Sequence, residues 1–195
     1  MKRTFDIFVS LLIVLLLLPT VLCIVIWIIF DSKGFPIYSQ VRVGKDRRCV
    51  RRYKFRTMYV GAEQKGLLTV GYDPRITRAG RILRKYKLDE LPQLWNILRG
   101  EMSLVGPRPE VPSYVALYSE EQKTVLTVRP GLTDFASLQY FDENTLLGNT
   151  IDPEKEYIEK IMPAKLSLNL EYIRRQSLAT DFGILVQTVR RILQV

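Results

Sequence analysis

The chain of 195 residues contains no histidine, and this removes the commonest general base, the Ser-His-Asp and Cys-His nucleophile systems, and most zinc sites. Any catalysis falls to carboxylates, lysines and arginines. Cysteine is nearly absent as well. Cys23 lies in an apolar stretch and Cys49 in a basic one, so a disulfide would join membrane to cytoplasm, and both read as reduced packing residues. Acidic residues are too few to balance the bases, 20 against 29, giving a net charge of +9. The imbalance is local. Residues 42–56 hold eight lysines and arginines against Asp46 alone, and residues 75–87 hold six with no acid. Such density marks a site for phosphate or for a lipid surface. A nucleic-acid surface is disfavoured, because no recognised motif accompanies the charge, and no nucleic acid is expected as a partner. Internal repeats and low-complexity segments are also lacking.

What the chain has in excess is one apolar run. Residues 7–30 are 24 positions without a formal charge, more than the ~18 that signal a membrane helix. The run is too long for a cleavable signal peptide, and no small-x-small site follows Phe30. Basic residues flank it on both sides, Lys2 and Arg3 before and Lys33, Arg42, Lys45, Arg47 and Arg48 after, so positive-inside bias pulls both ends to the cytoplasm. Pro19 divides the run into two arms of about 18 Å each, and neither crosses ~30 Å of hydrocarbon alone. A re-entrant helix-hairpin broken at Pro19, with Thr20 satisfying freed carbonyls, meets both constraints. A kinked single span remains the alternative. Asp6 lies one turn from Lys2 and Arg3, either as a local ion pair or to hold the two cations on a lipid phosphate at the membrane interface.

Beyond the apolar run the pattern is α+β and mostly helical, with residues 1–31 as a re-entrant membrane helix and residues 32–195 as a cytoplasmic, membrane-associated catalytic domain. Residues 37–43 and 50–57 read as a short β-hairpin whose alternation sets Tyr53, Phe55 and Thr57 against Arg52, Lys54 and Arg56. Thr77 is predicted to cap a helix presenting Arg78, Arg81 and Arg84. Asp89 is predicted as the N-cap of a further helix, with Pro92 in its first turn, Gly100 at its stop and Leu91, Leu94, Trp95 and Leu98 as its buried stripe. The adjacent acids Asp89 and Glu90 then stand at a helix N-terminus, where a carboxylate beneath cations can attack phosphorus. The alternative is an acidic cap on a core helix. Later helices open at a Ser119-x-x-Gln122 capping box, at Asp152-Pro153 and at Thr180, the last with Ile184, Leu185, Val189, Ile192 and Leu193 on one side. These amphipathic helices suit the membrane interface around the catalytic core. Residues 61–71 are predicted as a mobile loop, with a lid over the site as one role open to it.

Five strings in order give the chain a family likeness. They are Lys2-Arg3-x-x-Asp6 ahead of a proline-broken apolar segment, Tyr53-Lys54-Phe55-Arg56-Thr57-Met58, Leu88-Asp89-Glu90-Leu91-Pro92-Gln93-Leu94-Trp95-Asn96, Met102-Ser103-Leu104-Val105-Gly106-Pro107-Arg108-Pro109, and Arg129-Pro130-Gly131-Leu132-Thr133. Together they resemble the bacterial sugar transferases, the small monotopic polyprenyl-phosphate phosphoglycosyl transferases, over nearly the whole chain. The resemblance implies transfer of a phosphosugar from a UDP-sugar to polyprenyl (undecaprenyl) phosphate at the cytoplasmic face of the inner membrane, releasing UMP and initiating a polysaccharide. It implies Asp89 as nucleophile and Glu90 as its catalytic partner, the two together holding Mg²⁺. It further implies Arg56 and Arg84 on phosphate, Arg108 on the nucleotide between Pro107 and Pro109, and Lys54 and Arg129 among the substrate-binding residues. A homodimer is left open. The chain departs from the family in having Leu18 before Pro19, and in reading Asp134-Phe135-Ala136-Ser137-Leu138-Gln139 and Asp142-Glu143-Asn144 near the expected sugar subsite. The sugar therefore cannot be copied from a relative. Starting at Met1 without a multi-span extension, the chain is expected to be the minimal form of the enzyme. A non-catalytic monotopic protein that binds anionic lipid or a partner through its basic faces is the alternative reading.

Overall fold

The computed structural model describes residues 1–66 and 68–194, the side chains of Glu63 and Lys65 excepted. It begins with helix α1, Lys2–Asp31, which continues through Pro19 as secondary structure where an interruption between two arms was expected. A proline removes one backbone donor, but the surrounding apolar residues offer the backbone no partner better than the helix itself. One face of α1 is packed near both ends. Phe5, Val9, Ile13 and Val14 pack with Leu94, Ile97, Met102, Leu104, Tyr172 and Ile184, while Val21, Ile24, Val25 and Ile28 meet Phe55 and Leu83. The other face leaves Phe8, Leu12, Leu15, Leu16, Leu22, Ile26 and Phe30 exposed. That is apolar area far beyond what a soluble surface tolerates.

The first residues of α1 are tied inward rather than to one another. Lys2 pairs with Asp181 and donates to the Val105 carbonyl at 3.0 Å. Arg3 donates to the Ile97 and Leu98 carbonyls at 2.5 and 3.0 Å. Asp6, buried at 2% exposure, accepts from Ser103 Oγ at 2.8 Å and the Leu104 N–H at 3.2 Å. Of the two readings of Lys2-Arg3-x-x-Asp6, the local ion pair is replaced by long-range partners. Carbonyl, hydroxyl and N–H groups of the folded body satisfy these side chains where they are taken out of water.

Strands β1 (Ile37–Val43) and β2 (Cys49–Phe55) pair antiparallel, from Ile37 opposite Phe55 to Val43 opposite Cys49. Helix α2 (Arg78–Lys85) is capped by Thr77, whose hydroxyl accepts from the Gly80 N–H at 3.0 Å, as predicted. A 3₁₀ turn, Leu88–Glu90, leads into α3, Gln93–Arg99. Here two expectations fail. Pro92, not Asp89, occupies the N-cap, and the buried face is Gln93, Leu94, Asn96 and Ile97, leaving Trp95 57% exposed. The cause is Asn96. Its amide accepts from the Tyr53 N–H at 3.2 Å and donates to the Arg51 carbonyl at 2.8 Å, so it completes the free edge of β2 and fixes the rotation of α3. Gly100 stops the helix in the left-handed region at φ +84°, as expected.

Strand β3 (Ser103–Val105) and the later β4 (Gly131–Thr133) form a parallel pair, separated by α4 (Pro112–Val115) and the 3₁₀ segment Gln122–Thr127 that opens at the Ser119/Gln122 capping box. A Cβ on Gly131 would stand 2.1 Å from the Gly106 nitrogen, so this crossing admits only glycine. Short helices α5 (Phe135–Gln139), α6 (Glu143–Gly148) and α7 (Pro153–Glu156) follow. A π-helical turn, Tyr157–Ile161, then leads into α8 (Met162–Arg174), and α9 (Leu178–Leu193) ends the chain. Ser177 caps α9 in place of Thr180, accepting from the Thr180 N–H at 3.1 Å. Of the predicted apolar side only Ile184 is fully buried, with Val189 and Leu193 exposed. The result is a mostly helical α+β fold with two small sheets among the described residues.

Candidate active site

On a strand, residues two apart share a face. Arg52 and Lys54 of β2 accordingly join Gln40 and Arg42 of β1 along one wall of a cavity of about 1120 Å³. The turn carrying Asp89 and Glu90 faces the same space, both acids being nearly buried at 4% and 8% exposure. Lys87, at φ +54°, takes the left-handed conformation just before this turn and sets its direction. The cavity reaches from Ile13 and Leu17 of the apolar helix, past the two acids, to Asn169 of α8 and Thr188 of α9. It therefore borders the apolar helix and polar side chains at once.

The acids lie under cations. The Lys54 ammonium is 3.3 Å from Asp89 Oδ2 and 2.7 Å from Glu90 Oε1. Arg108 grips Glu90 with both terminal nitrogens, one of them at 3.2 Å from Oε2. Burial works against a charged Glu90, but Arg108 and Lys54 beside it hold its carboxyl well below the usual range. Burial pushes Lys54 down to about 8 against the pull of Glu90 and Asp89. Arg108 is raised, since Glu90 outweighs its desolvation.

Arg108 is aimed from behind. Asp134, fully buried, caps α5 through the Ser137 N–H at 2.6 Å and accepts from the Arg108 N–H at 3.1 Å. The Asp-x-x-Ser spacing signals the cap in the sequence, but its reach to Arg108, 26 residues away, has no local signature. Arg84 donates to Thr57 Oγ1 at 2.8 Å and Thr69 Oγ1 at 3.1 Å, and the charge of Asp89 acts on it.

The remaining candidates divide. Pro109 lines the main cavity and Pro107 only a small neighbouring pocket. Arg56, although it borders the cavity, spends its guanidinium on the carbonyls of Ile28, Ser32 and Lys33, where it closes the C-terminal end of α1. Arg129 donates to the Gly100 carbonyl at 2.9 Å and lies outside the cavity wall. Lys2, Arg3, Asp6 and Pro19 also lie outside it. In segment 61–71, of which Leu67 is outside the described residues, Arg75 donates to the Ala62, Gly66 and Leu68 carbonyls. Among the described residues no three His, Cys, Asp or Glu side chains converge. Asp89 and Glu90 nonetheless offer two hard oxygen donors, and Mg²⁺ binds through one or two carboxylates together with substrate phosphate, so the pair fits that ion.

Comparison with known proteins agrees with this chemistry. A family model described as bacterial sugar transferase matches residues 1–195. Undecaprenyl-phosphate glucose phosphotransferase of Komagataeibacter xylinus is 36% identical over 97% of the chain, and this match covers 35% of that protein. UDP-N-acetylgalactosamine-undecaprenyl-phosphate N-acetylgalactosaminephosphotransferase of Aeromonas hydrophila is 35% identical over 98% of the chain, covering 43% of its own length. The chain thus spans less than half of each of these relatives. The exopolysaccharide production protein PSS of Rhizobium leguminosarum bv. phaseoli is 39% identical over 97% of the chain, and there the match extends over 93% of the relative. With a family model matched from end to end and a relative of nearly its own length, the chain belongs to the bacterial sugar transferase family.

Proposed function

We propose that the protein transfers a sugar 1-phosphate from a UDP-sugar to undecaprenyl phosphate through a covalent intermediate on Asp89. The observation that carries this reading is a nearly buried Asp89 beside Glu90, under Lys54 and Arg108, on a cavity that also reaches the apolar helix. An Asp89 oxygen attacks the sugar-side phosphorus, and the bond from that phosphorus to the bridging oxygen breaks, so UMP leaves. A phosphate oxygen of the lipid then attacks the same phosphorus, the acyl-phosphate bond breaks, and the carboxylate is restored. Lys54 and Arg108 stabilise the charge that gathers on the equatorial oxygens. Asp89 and Glu90 would hold Mg²⁺, which supplies charge neutralisation on the diphosphate. The relatives' names support the substrates.

The same reading makes the protein monotopic at the cytoplasmic face. Lys2, Arg3 and Asp6 at one end of α1, and Ile28 and Ser32 at the other, contact one folded body, an arrangement that favours both ends lying on one side of the membrane. The test of function is release of UMP from a panel of UDP-sugars with Mg²⁺ and undecaprenyl phosphate. Release with at least one sugar, abolished in Asp89→Asn, is expected. A folded wild type that releases none with any sugar overturns the reading and leaves a lipid-binding protein.

A further inference from the structure

Among the described residues, Arg52 is the arginine of the cavity wall whose side chain is buried without a hydrogen bond or close ion pair, although the charges of Glu90 and Glu110 act on it from a distance. It is 6% exposed, forms no hydrogen bond or ion pair among the described residues, and its Nε is buried and unsatisfied. Its neighbours in the wall are all engaged. Arg42 lies on Glu110 and Gln40, Lys54 on the two acids, Arg84 on two threonine hydroxyls, and Arg108 on Glu90. A buried guanidinium whose Nε–H meets no acceptor is costly to the fold, and the repulsion of Arg42 and Arg108 opposes the attraction of Glu90 and Glu110. Burial and those two arginines push it down to about 9. The strand places it two residues from Lys54, roughly 6.6 Å along β2 on the same face.

We infer that Arg52 is an anion seat of the substrate cavity, taking an oxyanion that the substrates carry beside the phosphorus attacked by Asp89. The inference rests on the proposed transfer reaction and deepens it by adding a binding residue. The planar fork of arginine matches a phosphate or a carboxylate with two parallel hydrogen bonds. Three sources share this chemistry: the nucleotide-side phosphate of the donor, the carboxylate of an acidic donor sugar, and the phosphate of the acceptor lipid. An occupant with two oxygens satisfies the donors that the protein leaves open. The sequence signal was weak, because Arg52 is one basic residue among eight in its stretch, and what sets it apart from the equally buried Arg56 is the lack of a hydrogen-bond acceptor among the described residues.

Thermal-shift and equilibrium binding measurements on the full-length protein in detergent, with Arg52→Met and Arg52→Lys, test this without requiring turnover. The probes are inorganic pyrophosphate, UMP, UDP-glucose, UDP-glucuronate and undecaprenyl phosphate. Wild type is expected to bind at least one of them, with affinity about 10- to 100-fold weaker in Arg52→Met, the factor that a hydrogen bond to a charged group corresponds to, and partly recovered in Arg52→Lys. Without ligand, Arg52→Met is expected to melt at a higher temperature than wild type, because an unpaired buried charge has been removed. Loss of UMP binding assigns the nucleotide phosphate, loss confined to UDP-glucuronate the sugar carboxylate, and loss confined to undecaprenyl phosphate the lipid. Wild type that binds pyrophosphate through Arg52 yet releases no UMP from any donor keeps the anion seat and removes the transferase reading. An Arg52→Met protein that binds all five probes as wild type does, or that fails to fold, makes Arg52 structural and overturns the inference.

Discussion

Lys54 stands between the two carboxylates, and burial pushes its ammonium down to about 8. Below that value it is charged in the folded protein. Between about 8 and the unfolded value of 10.5 the folded lysine is neutral while the unfolded one still binds a proton, so this residue makes stability rise with pH across that window. Activity moves the other way. Loss of the cation removes attraction for phosphate, so kcat/KM, which reports the free enzyme, is expected to fall above pH ~8. In Lys54→Met the residual activity is expected to lack that alkaline limb, and an unchanged limb would assign it to another group. Glu90 makes a separate statement. Glu90→Gln frees Lys54 and Arg108 from their shared anion and weakens a hard ligand, so turnover is expected to drop ~10²-fold or more and the Mg²⁺ needed for half-maximal rate to rise. Full activity in excess chelator would exclude the metal from this pair.

At the scale of elements, the crossing of α2 over the end of β2 depends on Gly80. Alanine is favoured over glycine inside a helix by about 1 kcal/mol, yet a Cβ here would lie 2.1 Å from the Thr57 carbonyl oxygen. The clash is with backbone and overpacking costs about 1–3 kcal/mol, so Gly80→Ala is expected to lower Tm and, by displacing Arg84 from Thr57, to lower activity. A higher Tm would show that the helix slides freely. The hairpin and the Thr77 cap were readable in the sequence because alternation, a polar turn and a capping hydroxyl are local signals. The start of α3 was not. Asp89, Glu90 and Pro92 satisfy the local rules for a helix entry, but a left-handed Lys87 and a 3₁₀ turn intervene, and Asn96 turns the helix to serve the edge of β2. Arg56 illustrates the same limit. Its place on the cationic face is local information, whereas its capture by carbonyls 23 to 28 residues earlier depends on how α1 meets the hairpin.

For the molecule as a whole, α1 has both ends on one body and an apolar face turned outward. Cysteines placed singly at positions 2 and 33, with Cys23 and Cys49 replaced, are expected to react with an impermeant reagent only once the cytoplasmic side is opened. Labelling of position 2 from outside intact cells would establish a span and separate Lys2 from Asp181. Pro19→Ala restores the backbone donor missing inside α1, whose 24 apolar residues measure ~36 Å, so it is expected to stiffen the helix and shift labelling toward the spanning pattern. The proposed transfer needs this placement, because in it the cavity admits a soluble nucleotide and a membrane lipid to the same carboxylate. The most direct test of that central claim is intact-protein mass spectrometry after incubation with the accepted UDP-sugar and Mg²⁺ in the absence of undecaprenyl phosphate. A mass gain equal to one sugar phosphate, accompanied by UMP, is expected, reversed on adding the lipid and absent in Asp89→Asn. Full turnover on lipid addition with no adduct at any time, or an adduct that persists in Asp89→Asn, would contradict that claim.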